Sequence, residues 1–253
     1  MEGKGRVGYL VSWFPAITET FILEEVLALR ARGVGVDVFP LFGARGGEVH
    51  HGWKDAEGCT HYHASFSWEL LWAQLHWLRR RPRAYLKVWR DALRLNAPSP
   101  RLPVRAPVVI AKAALIARRI EALGVDHLHA HWATHPALAA WVIRMLTGVG
   151  YSFTTHAHDL YVDTAMLRQK VEEARFVVTI SEFNRALIER HCGDPAAGKV
   201  HVVRCGVDLG AFAPRNAARS EVPTFLCVAG LRAYKGHDVL LDACGLLKTR
   251  GVR

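Results

Sequence analysis

The chain has 253 residues, 51% of them hydrophobic, and a formal net charge of +10. That length supports one large domain or one and a half smaller ones, and the charge predicts an anionic partner: phosphate, acidic glycan or anionic lipid. The five cysteines (Cys59, Cys192, Cys205, Cys227 and Cys244) are scattered, odd in number and without a CxxC pair, which argues against a disulfide framework or a structural zinc site and fits a reducing cytosol.

The N-terminal MEGKGRVGYLVSWFP lacks the long apolar region of a signal peptide. No apolar run approaches the roughly 18 residues of a membrane span, because Lys112 and Arg144 interrupt the two nearest candidates. A cytoplasmic protein, soluble or peripheral, is expected.

RVGYLVS, Arg6 to Ser12, reads as a first strand. Thr18 is placed to cap a helix from about Glu19 to Arg32, with Phe21, Ile22, Val26 and Leu29 at helical spacing and Gly33 as its end. VGVDVFPL, Val34 to Leu41, is the second strand. A strand, a helix and a strand in this order predict a parallel, doubly wound sheet. The helix N-terminus would face the crevice at the strand ends, where an anion can bind. No GxGxxG follows the first strand, so a dinucleotide site is not expected.

Gly43 to Ala64 reads as a loop. Its Cys59, His61 and His63 have no fourth partner at metal-ligand spacing. Ser65 to Leu95 reads as two helices divided near Pro82, rich in Trp and Arg. Two readings stand for it: an interfacial segment for an anionic membrane, or core-facing helices with a solvated basic back. No helix-turn-helix, RRM or zinc-finger pattern accompanies it, so nucleic acid is not an expected partner.

Asn96 to Pro107 is a proline-rich connector, and Val108 to Leu123 a helix. VDHLHA, Val125 to Ala130, is a strand running on to His131; His127, His129 and His131 alternate and share a face, with His131 nearest the strand end. A three-histidine metal site is the alternative to a buried strand there. Thr134 to Thr147 is a helix.

Tyr151 to Asp163, YSFTTHAHDLYVD, is the most informative stretch. An apolar strand stops where His156, His158, Asp159 and Asp163 begin, and ligands of open parallel sheets bind off such strand ends. A helix over Thr164 to Ala174 and a strand over Arg175 to Ile180 follow. Ser181 is placed to cap a helix over Glu182 to His191, which sets Ser181, Glu182 and Asn184 at a second strand-to-helix turn. Lys199 to Arg204 is the last strand of the set. The domain boundaries follow: a first domain over residues 1–208, a linker over 209–223, and the start of a second α/β domain over 224–253, with a strand at Thr224 to Gly230 and a helix at His237 to Arg250.

Six segments in order, FPAITETFILEEVLALRARG, HLHAHWATHPALAA, FTTHAHDLY, VVTISEFNRALI, KVHVVRCGVDLGAF and LRAYKGHDVLLDA, resemble retaining glycosyltransferases of family 4, in the subgroup that builds exopolysaccharides and colanic-acid-type glycans. The resemblance implies the α/β GT-B fold, two Rossmann-like domains of which the first holds the acceptor and the second most of a nucleotide sugar. It implies no metal or other cofactor. His156 and Asp159 take the catalytic positions, with His156 beside the reacting sugar. Phe14, Glu19, Thr20, His131, His158, Ser181, Glu182 and Asn184 take acceptor-side positions. Gly206, Asp208, Arg232 and Lys235 take donor-side positions, Lys235 contacting the diphosphate.

Two departures stand out. Many relatives carry Arg directly after the glycine in a GRL motif, where this chain has VAGLRAYKG; aligning on Lys235 places Gly230 at that arginine, with Arg232 close by. The family's Glu-x7-Glu segment falls beyond Arg253. The chain therefore reads as the acceptor-side domain plus the first strand and helix of the donor-side domain, inactive alone. The whole enzyme would work at the inner face of the cell membrane on a glycan or lipid-linked acceptor. The competing readings are a non-catalytic basic module that binds a glycan or membrane surface and, on the histidines, a metal-dependent hydrolase.

Overall fold

The computed structural model describes residues 4–44, 52–64, 66–97, 102–206, 210 and 224–251. They fall into two units, Met1–Gly206 and Val207–Arg253.

In the first unit, β1 (Lys4–Val11), α1 (Thr20–Ala31) and β2 (Val34–Pro40) form the expected strand-helix-strand unit. The register pairs Tyr9 with Val38 and Leu10 with Phe39. Strand side chains alternate between faces. Tyr9, Val11, Val36 and Val38 accordingly enter one core, with Ile22 and Val26 of α1. Leu10, Phe39 and Leu41 enter a larger core on the opposite face. Burial on both faces is why these strands read as nearly continuous apolar runs.

α1 starts one residue later than expected. Glu19 is its N-cap, with no side-chain capping hydrogen bond, so Thr18 does not cap it. The stretch read as loop contains a short helix, α2 (Trp53–Glu57), and a parallel bridge from Val38 to Thr60. In that stretch His61 Nε2 pairs with Asp37 Oδ1 at 2.7 Å, and Arg30 reaches the Cys59 sulfur at 3.3 Å.

α3 (Trp68–Arg80) and α4 (Pro82–Asn96) divide at Pro82 as expected. α5 (Leu102–Leu123) begins six residues before the predicted start and runs through Pro107. Proline there removes one intrahelical bond, a cost offset by the burial of Ala106, Val109 and Ile110. The remaining elements are β3 (His127–His131), α6 (His135–Thr147), β4 (Gly150–Thr155), α7 (His158–Tyr161), α8 (Leu167–Glu173), β5 (Phe176–Thr179), α9 (Glu182–Cys192) and β6 (Val200–Val202).

The six strands are parallel in the order β2-β1-β3-β4-β5-β6. The chain winds outward in one direction from β1 to β2 and in the other from β3 onward. The β1/β3 boundary is thus the topological switch point, where such sheets bind ligands off the strand ends.

In the second unit, residues 224–230 form no strand. A strand is stabilised by its neighbours, and no partner strand lies among this unit's described residues. A 3-10 turn over Ala233–Lys235 leads into α10 (His237–Thr249). The predicted linker, 209–223, lies outside the described residues apart from Gly210. No helix among the described residues is long and apolar enough to cross a membrane.

Candidate active site at the ends of β3 and β4

β4 ends at Thr155, and His156 is the next residue, 7% exposed. Its backbone is held on both sides. The amide N–H donates to Asp159 Oδ1 at 3.1 Å, and the carbonyl accepts from Asn184 Nδ2 at 2.5 Å. Asp159 Oδ2 also accepts from the Ala133 amide at 2.8 Å, which ties the exit of β3 to the exit of β4. Asn184 Oδ1 accepts from the Tyr161 hydroxyl at 2.5 Å. Its own amide donates to Ser181 Oγ at 3.2 Å, the N-cap bond expected for α9. Asp159 and Asn184 are 2% and 1% exposed, so both act as buried clamps on the His156 backbone. Burial pushes the Asp159 carboxyl up, against backbone amides that pull it down.

The His156 imidazole sits among aromatic rings. Trp132 lies 4.4 Å away between centroids, Phe21 at 4.8 Å and His131 at 5.7 Å. Burial, with His131 nearby, lowers His156 to about 4, so the ring is neutral at pH 7. Trp132 carries φ of +82°. A bulky residue in that region is an outlier of the kind that collects at functional sites. Its amide donates to Thr154 O at 2.9 Å and its carbonyl accepts from the Ala137 amide at 3.3 Å, which hold the turn in place.

Behind these rings lies a polar cluster. His131 Nδ1 is 3.4 Å from His156 Nε2, and His131 Nε2 is 3.5 Å from Glu25 Oε2. The Tyr9 hydroxyl donates to Glu25 Oε1 at 2.5 Å. Burial would raise the Glu25 carboxyl, but His131, Tyr9 and His129 outweigh it and bring it to about 2. Ligand-type atoms of Glu25, His129 and His131 lie within 4.8 Å of one another, and among the described residues this trio is the group that could hold a metal. His129, however, spends both ring nitrogens on hydroxyls, Ser152 Oγ at 2.8 Å and Thr154 Oγ1 at 2.9 Å. A metal would have to displace one of them. His127 also bonds Ser152, at 2.8 Å.

The sheet thus brings His131, His156, Asp159, Ser181 and Asn184 together by the contacts above. Glu19 and Thr20 begin α1, which carries Phe21 and Glu25 into the same group. Phe14 is not among the residues gathered around His156. Its ring is 2% exposed and packs edge-on against Trp53 at 5.5 Å, within the α1-side core. His158 is exposed at the start of α7, and Glu182 is exposed and 3.9 Å from Arg185. Gly206 is exposed at the end of the first unit; Asp208 lies outside the described residues. In the second unit, Arg232 and Lys235 are exposed just ahead of α10, with Lys235 Nζ 5.3 Å from the Tyr234 ring.

The sequence reading missed Phe21, Trp132, Glu25 and Tyr9. Phe21 had only the signature of an apolar helix position. Trp132 directly follows the alternating histidines, and that placement at a strand end was the available signal.

No curated protein matches the sequence. A glycosyltransferase from Rickettsia africae ESF-5 superposes with a TM-score of 0.62 at 17% identity, over 98% of this chain and 59% of its own. Sucrose-phosphate synthase from Thermosynechococcus elongatus gives 0.52 at 16% identity, over 84% of this chain and 51% of its own. The chain therefore spans between half and two thirds of the length of these proteins. They share its fold, the parallel α/β architecture of GT-B glycosyltransferases. The profile of Glycosyltransferase Family 4 matches residues 18–211, which contain His131, His156, Asp159 and Asn184, and this chain belongs to that family.

Proposed function

We propose that this chain is the acceptor-side part of a retaining glycosyltransferase that moves a sugar from a nucleotide donor to a glycan or lipid-linked acceptor in polysaccharide synthesis. The observation that carries the reading is His156: a neutral imidazole at a strand end beside the switch point, clamped through its own backbone and flanked by Phe21 and Trp132. A sugar has apolar C–H faces and a polar rim. Two aromatic rings beside one polar nitrogen suit it, because binding sites combine apolar walls with a few fixed polar groups. His156 takes the place beside the reacting sugar, and Asp159 and Asn184 hold it there. On the donor side, Arg232 and Lys235 precede the N-terminus of α10, where cations and helix amides favour a diphosphate. That chemistry needs no metal.

Ligand-observed NMR with a panel of nucleotide sugars and lipid-linked oligosaccharides tests the reading. Saturation transfer to a sugar moiety is expected for the chain and is lost in His156→Ala. Equal transfer in both proteins would remove His156 from the sugar site.

We further propose that the acceptor is met at an anionic membrane surface. On α3, Trp68 and Trp72 are 79% and 59% exposed, with Leu71 between them. Arg79, Arg83 and Arg94 are exposed nearby in the sequence. A concavity of about 570 Å³, lined by Glu69, Trp72, His76, Arg79, Arg80 and Arg118, adjoins this surface and shares no lining residue with the His156 group.

A further inference from the structure

Lys170 carries a buried amine that contact with a sugar does not require. It lies on α8, is 1% exposed, and donates to two carbonyls, Ala133 O at 2.6 Å and Ala165 O at 2.8 Å. Burying such a group is costly, and a methionine would fill much the same space without that cost. What lysine adds is the pair of donated hydrogen bonds. From the geometry we infer that Lys170 is a positioning residue for Trp132: with Asp159 it fixes the peptide groups on the two sides of Ala133, and so holds the Trp132 indole in the single orientation that walls the sugar site beside His156.

Ala133 sits where β3 turns into α6, directly after Trp132 at φ of +82°. The Ala137 amide donates to Trp132 O at 3.3 Å and the Leu138 amide to Thr134 O at 3.0 Å, so the first amides of the helix pass over Ala133 O. Ala133 is 2% exposed, and a buried carbonyl needs a donor. Lys170 supplies it from α8. The Ala133 amide goes to Asp159 Oδ2 at 2.8 Å, and the Trp132 amide to Thr154 O at 2.9 Å. All four polar backbone groups of the Trp132–Ala133 pair are therefore held. Backbone strain persists where the surroundings over-determine it, and here the partners come from β4, α6, α7 and α8. With the peptide planes fixed, the direction of the Trp132 side chain is fixed too. Its indole is half-buried and lies 4.4 Å from the His156 ring. Lysine has enough N–H groups for both carbonyls whether or not it is charged, so the contact does not depend on its protonation.

The inference rests on the reading of His156 as a sugar contact, and its test separates the two. The chain is labelled with 5-fluorotryptophan for 19F NMR, and the Trp132 signal is assigned by its absence in Trp132→Phe. The wild type is expected to give one Trp132 signal, relaxing more slowly than a mobile surface indole such as Trp68. Lys170→Met is expected to shift or split that signal and to leave the Trp53 signal in place. A doubled Trp132 signal in the wild type, or one as mobile as Trp68, would overturn the inference whether or not the variant folds. So would an unchanged Trp132 signal in folded Lys170→Met. Saturation transfer to UDP-glucose or GDP-mannose should fall severalfold in Lys170→Met, and the same substitution should add no further loss to Trp132→Ala. Equal losses in both backgrounds would mean that Lys170 supports the fold and does not act through Trp132. Wild-type protein that gives no transfer to either sugar, with the Trp132 signals as expected, would count against the functional reading and leave the role of Lys170 standing.

Discussion

Asn184 Nδ2 donates to the carbonyl oxygen of His156 at 2.5 Å, joining the first turn of α9 to the loop behind β4 across 28 residues of sequence. Both groups are buried, and the same side chain accepts from Tyr161. Replacing Asn184 by Ala leaves the His156 carbonyl buried without its donor. A loss of about 1–3 kcal/mol is expected in urea denaturation. Asn184→Asp separates this bond from packing, because an ionised carboxylate cannot donate to a carbonyl and should be at least as damaging. An Asp variant as stable as wild type would show that the bond contributes nothing.

The strands were legible in the sequence because their register buries both faces, so Val7–Val11 and Val36–Pro40 read as short apolar runs. The loop carrying His156 and Asp159 was legible because polar residues begin where β4 stops. The direction of each side chain was not. Asp159 turns back to the amides of Ala133 and His156, which no spacing rule specifies. Phe14 and Phe21 are both aromatics near the start of α1, yet Phe14 enters the core and Phe21 meets His156. The choice is made by tertiary packing. Pro107 read as the end of a connector because local propensity opposes proline inside a helix, and the burial of α5 overrides it. Trp77 belongs to a stretch whose sequence fits either an interfacial or a core-facing helix; it is fully buried and donates from Nε1 to Ala114 O at 2.7 Å, a choice that only packing against α5 makes.

Trp132 separates backbone strain from ring contact. At φ of +82° a residue with a Cβ is strained, whereas glycine is not. Trp132→Ala removes the ring and keeps the strain; Trp132→Gly removes both. The glycine variant should be the more stable of the two by about 1 kcal/mol. Both should lose sugar contact equally, since neither retains the indole beside His156. Thermal unfolding of the pair checks the order, and an alanine variant at least as stable as the glycine would show that the turn relaxes.

Lys170 gives a pH dependence with a definite sign. Its ammonium is 1% exposed and donates to Ala133 O at 2.6 Å and Ala165 O at 2.8 Å. Burial nevertheless lowers it from 10.5 to about 8. Between those values the unfolded chain binds more protons than the folded one, so this group makes stability rise with pH. Tyr9, Tyr151 and Cys192 are shifted upward and act in the opposite direction at the alkaline end. The comparison must therefore be made against Lys170→Met. From about pH 8 to pH 10, wild type should gain stability relative to the variant. A constant difference across that range would mean that Lys170 keeps its ordinary affinity for a proton in the fold.

The tryptophans of α3 decide the membrane proposal. Trp68, Leu71 and Trp72 recur at helical spacing on the exposed face, while Ala73 and Trp77 face α5. A Trp77 substitution would damage the core and confuse the result, so the variant is Trp68→Ala with Trp72→Ala. In cosedimentation the wild-type chain should bind vesicles containing anionic lipid more tightly than neutral ones, through the neighbouring arginines. Added salt should weaken that preference by screening. Removing two exposed indoles that insert into the interface should weaken binding by about tenfold or more. Arg79→Glu with Arg83→Glu should abolish the lipid preference and leave the fold intact, because both side chains are exposed. Equal binding to neutral and anionic vesicles, or wild-type binding by the double tryptophan variant, would mean that this face serves something other than a membrane.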